Sequence, residues 1–387
     1  MALNRRVWGL FVSLGLGLTS CSGLPSPPTG WQTGAVATSG KASSNETDYG
    51  FRTADGLTLA AKLTRPQEPG RRPPVLVFIG GSGTWDSNYS QAIDATSSAF
   101  VLPVPELARR AAQAGYAFVR YQKRGVTDPG GLATSEWRTV RLETLMADLR
   151  ILLAKIQADP TLDGTRIALI GHSEGTMIAT WVGATEPAVK AYVFMGMVRQ
   201  NLKDVFRLQL VHRNGERFFA ITDVSPKDAK LDADEMANAT KKGLVFEGWK
   251  TFDADRDGML SKPEYLAYLD ARYAAWVRSI GAMKPEELVP GDGNPAGWFQ
   301  QHFAHETVES SWRTIRAPVL VVQGRADTNT PFKTEVEPFK AMLEAQRHPD
   351  HRVVGMEGLD HWFKDRTGIS QAGRAFGEIL PWLKLRL

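Results

Sequence analysis

The chain has 387 residues, 43% of them hydrophobic and 23% charged, which is enough apolar material to bury a core. Its 36 glycines and 22 prolines are ordinary at this length, so collagen-like and wholly disordered compositions are excluded. A formal net charge of +4 is too balanced for a nucleic-acid binder held by phosphate neutralisation.

Met1 to Arg6 is short and basic, and Val7 to Leu18 is an apolar run. That pairing reads as a secretory signal over residues 1–20, too short to span a bilayer as a helix. Leu18-Thr19-Ser20-Cys21 resembles a bacterial lipobox, which implies cleavage before Cys21 and lipidation there. Cys21 is the single cysteine of the chain, so it has no partner for an internal disulfide. An ordinary signal peptide with an incidental cysteine is the alternative. Residues 21–47 are rich in Ser, Gly, Thr and Pro, as a tether between lipid and folded domain should be. Ser22 after the cysteine favours, by the same resemblance, an outer-membrane lipoprotein facing the periplasm. After residue 24 no stretch of about eighteen uncharged apolar residues occurs, so no later span is expected.

Next, Gly50 to Thr53 and Leu57 to Thr64 flank Asp55-Gly56, a strong hairpin signal. Continuous apolar runs of strand length follow at Val75–Ile79, Ala117–Tyr121, Ile167–Ile170, Ala191–Phe194, Val319–Val322 and Val353–Val354. Helical patterns lie between many of them, at Pro105–Gln113, Arg141–Ile156, Met177–Ala184 and Lys333–Ala345. Buried strands alternating with amphipathic helices predict an α/β fold, a mostly parallel sheet covered on both faces. The alternation breaks over 198–313, which reads as a helical cap inserted into a core of 48–197 and 314–387.

Arg166 to Ile170 runs into Gly171-His172-Ser173-Glu174-Gly175 and then a helical stretch, giving strand, G-x-S-x-G, helix. The glycines permit the sharp turn that exposes a serine oxygen, and the helix aims its first N–H groups at a developing oxyanion. The pentapeptide alone is weak, and its context carries the weight. A serine nucleophile needs a base, and the base needs an orienting carboxylate. Asp327 follows the strand Val319–Val322, and His361 follows Val353–Val354. Asp360 is a rival carboxylate, although adjacency to His361 makes a proper hydrogen bond harder. His348 and His351 precede that last strand and read as solvated surface residues. One oxyanion donor is expected from Glu174 and another from Gly80-Gly81-Ser82-Gly83-Thr84, after the first parallel strand. A nucleotide cradle is the competitor for that loop, but neither glycine-rich phosphate motif is present.

These segments resemble the α/β-hydrolases, close to bacterial carboxylesterases and serine-aminopeptidase-like members. The resemblance rests on Gly80-Gly81-Ser82-Gly83, Arg120-Tyr121-Gln122-Lys123-Arg124-Gly125-Val126 and Gly171 to Thr176. It implies an α/β-hydrolase fold with Ser173 as nucleophile, His361 as general base and acid, Asp327 as orienter and Ser82 as an oxyanion donor. Gly80, Gln122 and Thr176 depart from the usual His, Asp and Gly.

Within the insertion, residues 253–264 match an EF-hand loop position by position. Asp253, Asp255 and Asp257 stand at positions 1, 3 and 5, and Gly258 at the turn. Met259 offers a carbonyl, Ser261 the water-mediated place, and Glu264 the closing carboxylate. A structural Ca²⁺ is therefore expected, with flanking helices near Gly243–Thr251 and Tyr265–Trp276. Asp228 to Glu235 resembles half of a second loop, or else a helix start capped by Asp232. A damaged partner hand would still let Leu231 and Leu260 pair. The whole reads as an exported, lipid-anchored serine hydrolase acting on small-molecule esters, with no cofactor needed for the hydrolysis itself. A peptidase, a thioesterase and a calcium-dependent binding protein on a hydrolase scaffold are the alternatives.

Overall fold

The computed structural model describes residues 45–67, 72–92, 98–100, 102–127, 131–224, 227–241 and 249–387. The expected signal segment, Cys21 and the tether up to residue 44 lie outside the described residues. So does most of the helix expected at Gly243–Thr251.

Eight strands form one sheet: β1 (Glu46–Asp48), β2 (Ala61–Thr64), β3 (Pro74–Ile79), β4 (Ala117–Tyr121), β5 (Asp163–His172), β6 (Val189–Met195), β7 (Val319–Gly324) and β8 (His351–Met356). Their order across the sheet is β1-β2-β4-β3-β5-β6-β7-β8. β1 and β2 pair antiparallel, as do β2 and β4, and every later pair is parallel. The apolar runs of β3 and β7 are buried nearly throughout, as strands covered on both faces must be. The hairpin signal is met by Phe51–Arg52 pairing with Thr58–Leu59 around Gly56, whose φ is +90°.

The helices of this unit are α1 (Val104–Gln113), α2 (Leu142–Ala158), α3 (Glu174–Gly183), α4 (Phe332–Ala345) and α5 (Ala372–Leu383). α2 shows why the sequence makes them. Leu145, Leu149, Leu152 and Ile156 recur at helical spacing and are all buried.

The chain divides into two compact units, and among the described residues the second is Leu202–Phe303, between β6 and β7. The expected boundary at 313 is therefore too late. The short helix Val308–Trp312 belongs with the sheet, because Trp312 packs edge-on against Tyr192, Phe194 and Phe339 at 5.2–5.7 Å between ring centres. His348 is a second correction: it is buried against Trp312 rather than solvated, and burial lowers its pKa.

The Leu202–Phe303 unit is helical. Its core includes Phe218 on Tyr265 at 4.5 Å and Trp276 edge-on to Phe299 at 5.3 Å. A two-residue ribbon pairs Lys230 with Ser261 and Leu231 with Leu260, so the expected Leu–Leu pairing is present. Among the described residues no helix is long and apolar enough to cross a membrane.

Candidate active site

β5 ends at His172 and α3 begins at Glu174, so Ser173 is the corner between them. Its backbone sits at φ 54°, ψ −124°, a conformation that a non-glycine residue keeps only when its surroundings enforce it. The enforcement is visible. Ser173 N–H donates to the Met195 carbonyl at the end of β6, at 2.9 Å. At Gly175 an added Cβ would lie 2.1 Å from the Ile79 carbonyl oxygen, so only glycine lets α3 start this close to β3.

His361 lies on the loop after β8, and its Nδ1 is 2.8 Å from Asp327 Oδ2 on the loop after β7. The rival Asp360 instead accepts the N–H groups of Trp362 and Lys364, at 2.9 and 2.8 Å. Asp327 is almost fully buried and well supplied with donors. Gln323 Nε2 and Thr330 Oγ1 donate to Oδ2, and the N–H groups of Asn329 and Thr330 donate to Oδ1, all at 2.8–2.9 Å. Burial opposes the charge, but His361 and these donors outweigh it and hold the carboxyl below its ordinary pKa. The His361 ring lies over Gly196, where a Cβ would come within 2.9 Å of Cε1. Since Gly196 follows the Met195 that holds the Ser173 N–H, serine and imidazole gather at the same end of β6.

The loop after β3 passes directly against the serine, because a Cβ on Gly81 would lie 2.8 Å from Ser173 Cβ. Ser82 follows, its carbonyl accepting from Trp85 Nε1 at 2.7 Å. Glu174 opens α3, and its buried carboxylate receives Lys123 Nζ at 2.6 Å. Thr176, one of the departures from the resembled pattern, donates to the Ser173 carbonyl at 2.8 Å and accepts the Val198 N–H at 3.1 Å. It pins the corner to the chain beyond β6. Ser173, Asp327, His361 and Ser82 thus lie on turns and loops that follow the parallel strands, and Glu174 opens the helix after one of them. The family model described as "Alpha/beta hydrolase family" matches residues 76–363 of the chain.

The chain belongs to the alpha/beta hydrolase family.

Solved structures of other proteins share the fold. The alpha/beta hydrolase GrgF from Penicillium sp. sh18 matches with TM-score 0.50 and 16% identity, covering 88% of this chain and 98% of that one. An acylaminoacyl peptidase from Pyrococcus horikoshii matches with TM-score 0.50 and 13% identity, covering 88% of this chain and 41% of the peptidase. At such identities the likeness concerns the fold alone. The comparison with curated proteins returned no match.

In the helical unit of this hydrolase, one carboxylate oxygen from each of Asp253, Asp255 and Asp257 lies within 4.8 Å of the others. Asp253 Oδ1 is shielded from solvent and has no hydrogen-bond partner, which suits an oxygen meant for a hard cation. Glu264 is not gathered with them. Its carboxylate accepts the N–H groups of Ala254 and Ser261, at 2.7 and 2.9 Å, and caps the helix Lys262–Gly281 with Ser261. Met259 N–H donates to Asp257 Oδ1 at 2.8 Å. Upstream, Asp232 Oδ1 accepts from Asp234 and Glu235 N–H at 2.9 and 2.8 Å, so the capping alternative is realised there. The sequence did not announce Lys230, whose Nζ reaches Asp257 Oδ2 at 2.7 Å. Nor did it single out Gln323 or Thr330, whose donors reach Asp327 from only four and three residues away along the chain.

Proposed function

We propose that the protein is a serine hydrolase of carboxylic esters, acting through an acyl-enzyme on Ser173. The observation that carries the reading is Ser173 at its enforced corner, with the buried His361–Asp327 pair gathered at the same strand end. Asp327 holds the Nδ1–H of His361, so proton exchange falls to Nε2. The Ser173 Oγ–H proton passes to Nε2 as Oγ attacks the ester carbonyl. The resulting oxyanion is received by the N–H groups of Ser82 and Glu174. Collapse expels the alcohol, which takes the proton from Nε2, and a water then cleaves the acyl-enzyme by the same path in reverse.

The test is labelling with a fluorophosphonate probe and turnover of a panel of esters, thioesters and anilides, in wild type and Ser173→Ala. Labelling and ester turnover that vanish in the variant support the reading. Turnover confined to anilides would make the protein a peptidase, and retained turnover in Ser173→Ala would remove the mechanism.

Two further parts complete the proposal. The acidic loop 253–264 would hold a structural Ca²⁺ through Asp253, Asp255, Asp257, the Met259 carbonyl, Ser261 and Glu264, the last on leaving its bonds to the Ala254 and Ser261 N–H groups; the ion would supply charge compensation and no step of the chemistry. The polypeptide is exported and anchored in the outer membrane by lipid on Cys21. Several acyl chains give the stable attachment that one chain does not. Loss of palmitate incorporation and of membrane partitioning in Cys21→Ser is the expected result.

A further inference from the structure

Gly80 stands where the resembled pattern carries a histidine, and the structure shows what fills the place. A Cβ on Gly80 would lie 2.7 Å from Cε2 of Tyr89, so the tyrosine ring occupies that volume. Tyr89 itself holds φ 59°, a strained value for an aromatic residue, and is buried. Its ring packs on Trp85 at 4.8 Å and edge-on to Phe78 at 5.3 Å. Strain of this kind persists only where packing and hydrogen bonds over-determine it.

The hydroxyl ends between two groups of the site. Gly81 N–H donates to Tyr89 Oη at 2.7 Å, and Oη is 2.9 Å from His172 Nδ1. On its other side His172 Nε2 is 3.0 Å from the carbonyl oxygen of His361. A carbonyl only accepts, so Nε2 carries the proton. Burial pushes the His172 pKa down to about 3, so the ring is neutral and Nδ1 bears no hydrogen. The Tyr89 O–H therefore donates to Nδ1. The result is one directed chain: Gly81 N–H to Tyr89, Tyr89 O–H to His172, His172 N–H to the His361 backbone. Trp362 stacks on His172 at 5.0 Å and meets Trp85 at 5.4 Å, closing the same three segments with apolar contact.

We propose that Tyr89 and His172 are positioning residues that lock the oxyanion loop to the loop bearing His361, so that both are held in register with Ser173. The inference rests on the reading of Ser173 as nucleophile. Gly81 is anchored through its N–H and Ser82 through its carbonyl, at Trp85, so the peptide carrying the Ser82 N–H hangs between two fixed points. Removing one point lets that N–H drift. A drift of about 1 Å costs on the order of 100-fold in rate, while leaving ground-state binding nearly untouched.

The experiment compares wild type, Tyr89→Phe and Ser173→Ala with a p-nitrophenyl ester and with a trifluoromethyl ketone, whose hemiketal adduct on serine carries the oxyanion. Tyr89→Phe keeps the ring and removes only the hydroxyl. Its kcat should fall roughly 10- to 100-fold with KM within about threefold, and the ketone Ki should rise by a similar factor. A variant with wild-type kcat, or one whose loss follows its melting temperature while the ketone Ki stays fixed, overturns the inference alone. A wild type without Ser173-dependent turnover overturns the reading of the site, and this inference with it. Should Tyr89→Phe fail to fold, histidine-ring NMR on the wild type decides: His172 must be the Nε2–H tautomer at neutral pH, and the Nδ1–H tautomer would refute the chain.

Discussion

Lys123 Nζ lies 2.6 Å from Glu174 Oε2, with side-chain exposures of 8% and 0%. The carboxylate belongs to the residue after Ser173, and the ammonium comes from the segment just after β4. Breaking such a pair strands a charge out of water, whereas removing both charges does not. Lys123→Met should therefore lose about 3–5 kcal/mol in urea unfolding, and adding Glu174→Gln should recover most of it. An unchanged unfolding midpoint in the single variant would show that the pair contributes nothing.

Asp327→Asn preserves shape but removes the charge and lets the side chain donate to Nδ1, favouring the imidazole tautomer that cannot take the serine proton at Nε2. If the triad acts as proposed, ester kcat should fall about 10³–10⁴-fold, with KM little altered. Steady-state kinetics check this directly. A variant within tenfold of wild type would assign the orienting role elsewhere.

Acid should weaken the fold through His172. The ring is neutral when folded, with its pKa pushed by burial from 6.5 to about 3, whereas in the unfolded chain it takes up a proton below its ordinary value. The unfolded state thus binds the extra proton as the pH falls through that window, and stability declines by about 1.4 kcal/mol per pH unit over its middle. Asp327, whose carboxyl is depressed, adds a loss of the same sign at lower pH still. Unfolding followed from pH 7 to pH 4 should show a shallower decline in His172→Gln than in wild type. Parallel curves would contradict the assignment.

The sheet was legible because β3 to β7 carry buried apolar runs and β8 a Val-Val pair, and the strand ends marked where Ser173, Asp327 and His361 would stand. Arg120, Lys123 and Arg124 drew attention through resemblance, and the structure gives each an acid: Glu46, Glu174, and Asp148 with Asp55. The segment Val308–Trp312 was misassigned because a short helix looks the same in sequence whichever unit it packs on. Its membership is decided by where Trp312 finds aromatic partners. Tyr89 was illegible for a related reason. Its stretch has no periodic pattern, and its hydroxyl matters only because β3 and β5 bring Gly81 and His172 to it.

Calcium should stabilise the helical unit, and Lys230 should limit how tightly it binds. The oxygens of Asp253, Asp255 and Asp257 repel one another, and the unpartnered Asp253 Oδ1 bears an uncompensated desolvation cost. A divalent cation relieves both at once. Lys230 already neutralises Asp257 from across the two-residue ribbon, at 2.7 Å, so an incoming cation must displace its ammonium or tolerate it. The pair is exposed, which keeps the penalty small. Lys230→Met should accordingly tighten calcium binding by only a few-fold, while Glu264→Gln weakens it. If the protein is exported as proposed, an affinity on the order of 10⁻⁴–10⁻³ M, as in extracellular modules, would suffice. At about 100 times Kd the metal would add roughly 2.7 kcal/mol to stability. Ser173, Asp327 and His361 all lie outside Leu202–Phe303, so ester turnover at low temperature should survive chelation while heat inactivation quickens. Calorimetry without a heat of calcium binding, together with superimposable melting curves in chelator and in calcium, would defeat the argument. A Lys230→Met variant that binds calcium no better than wild type would remove the part assigned to the lysine.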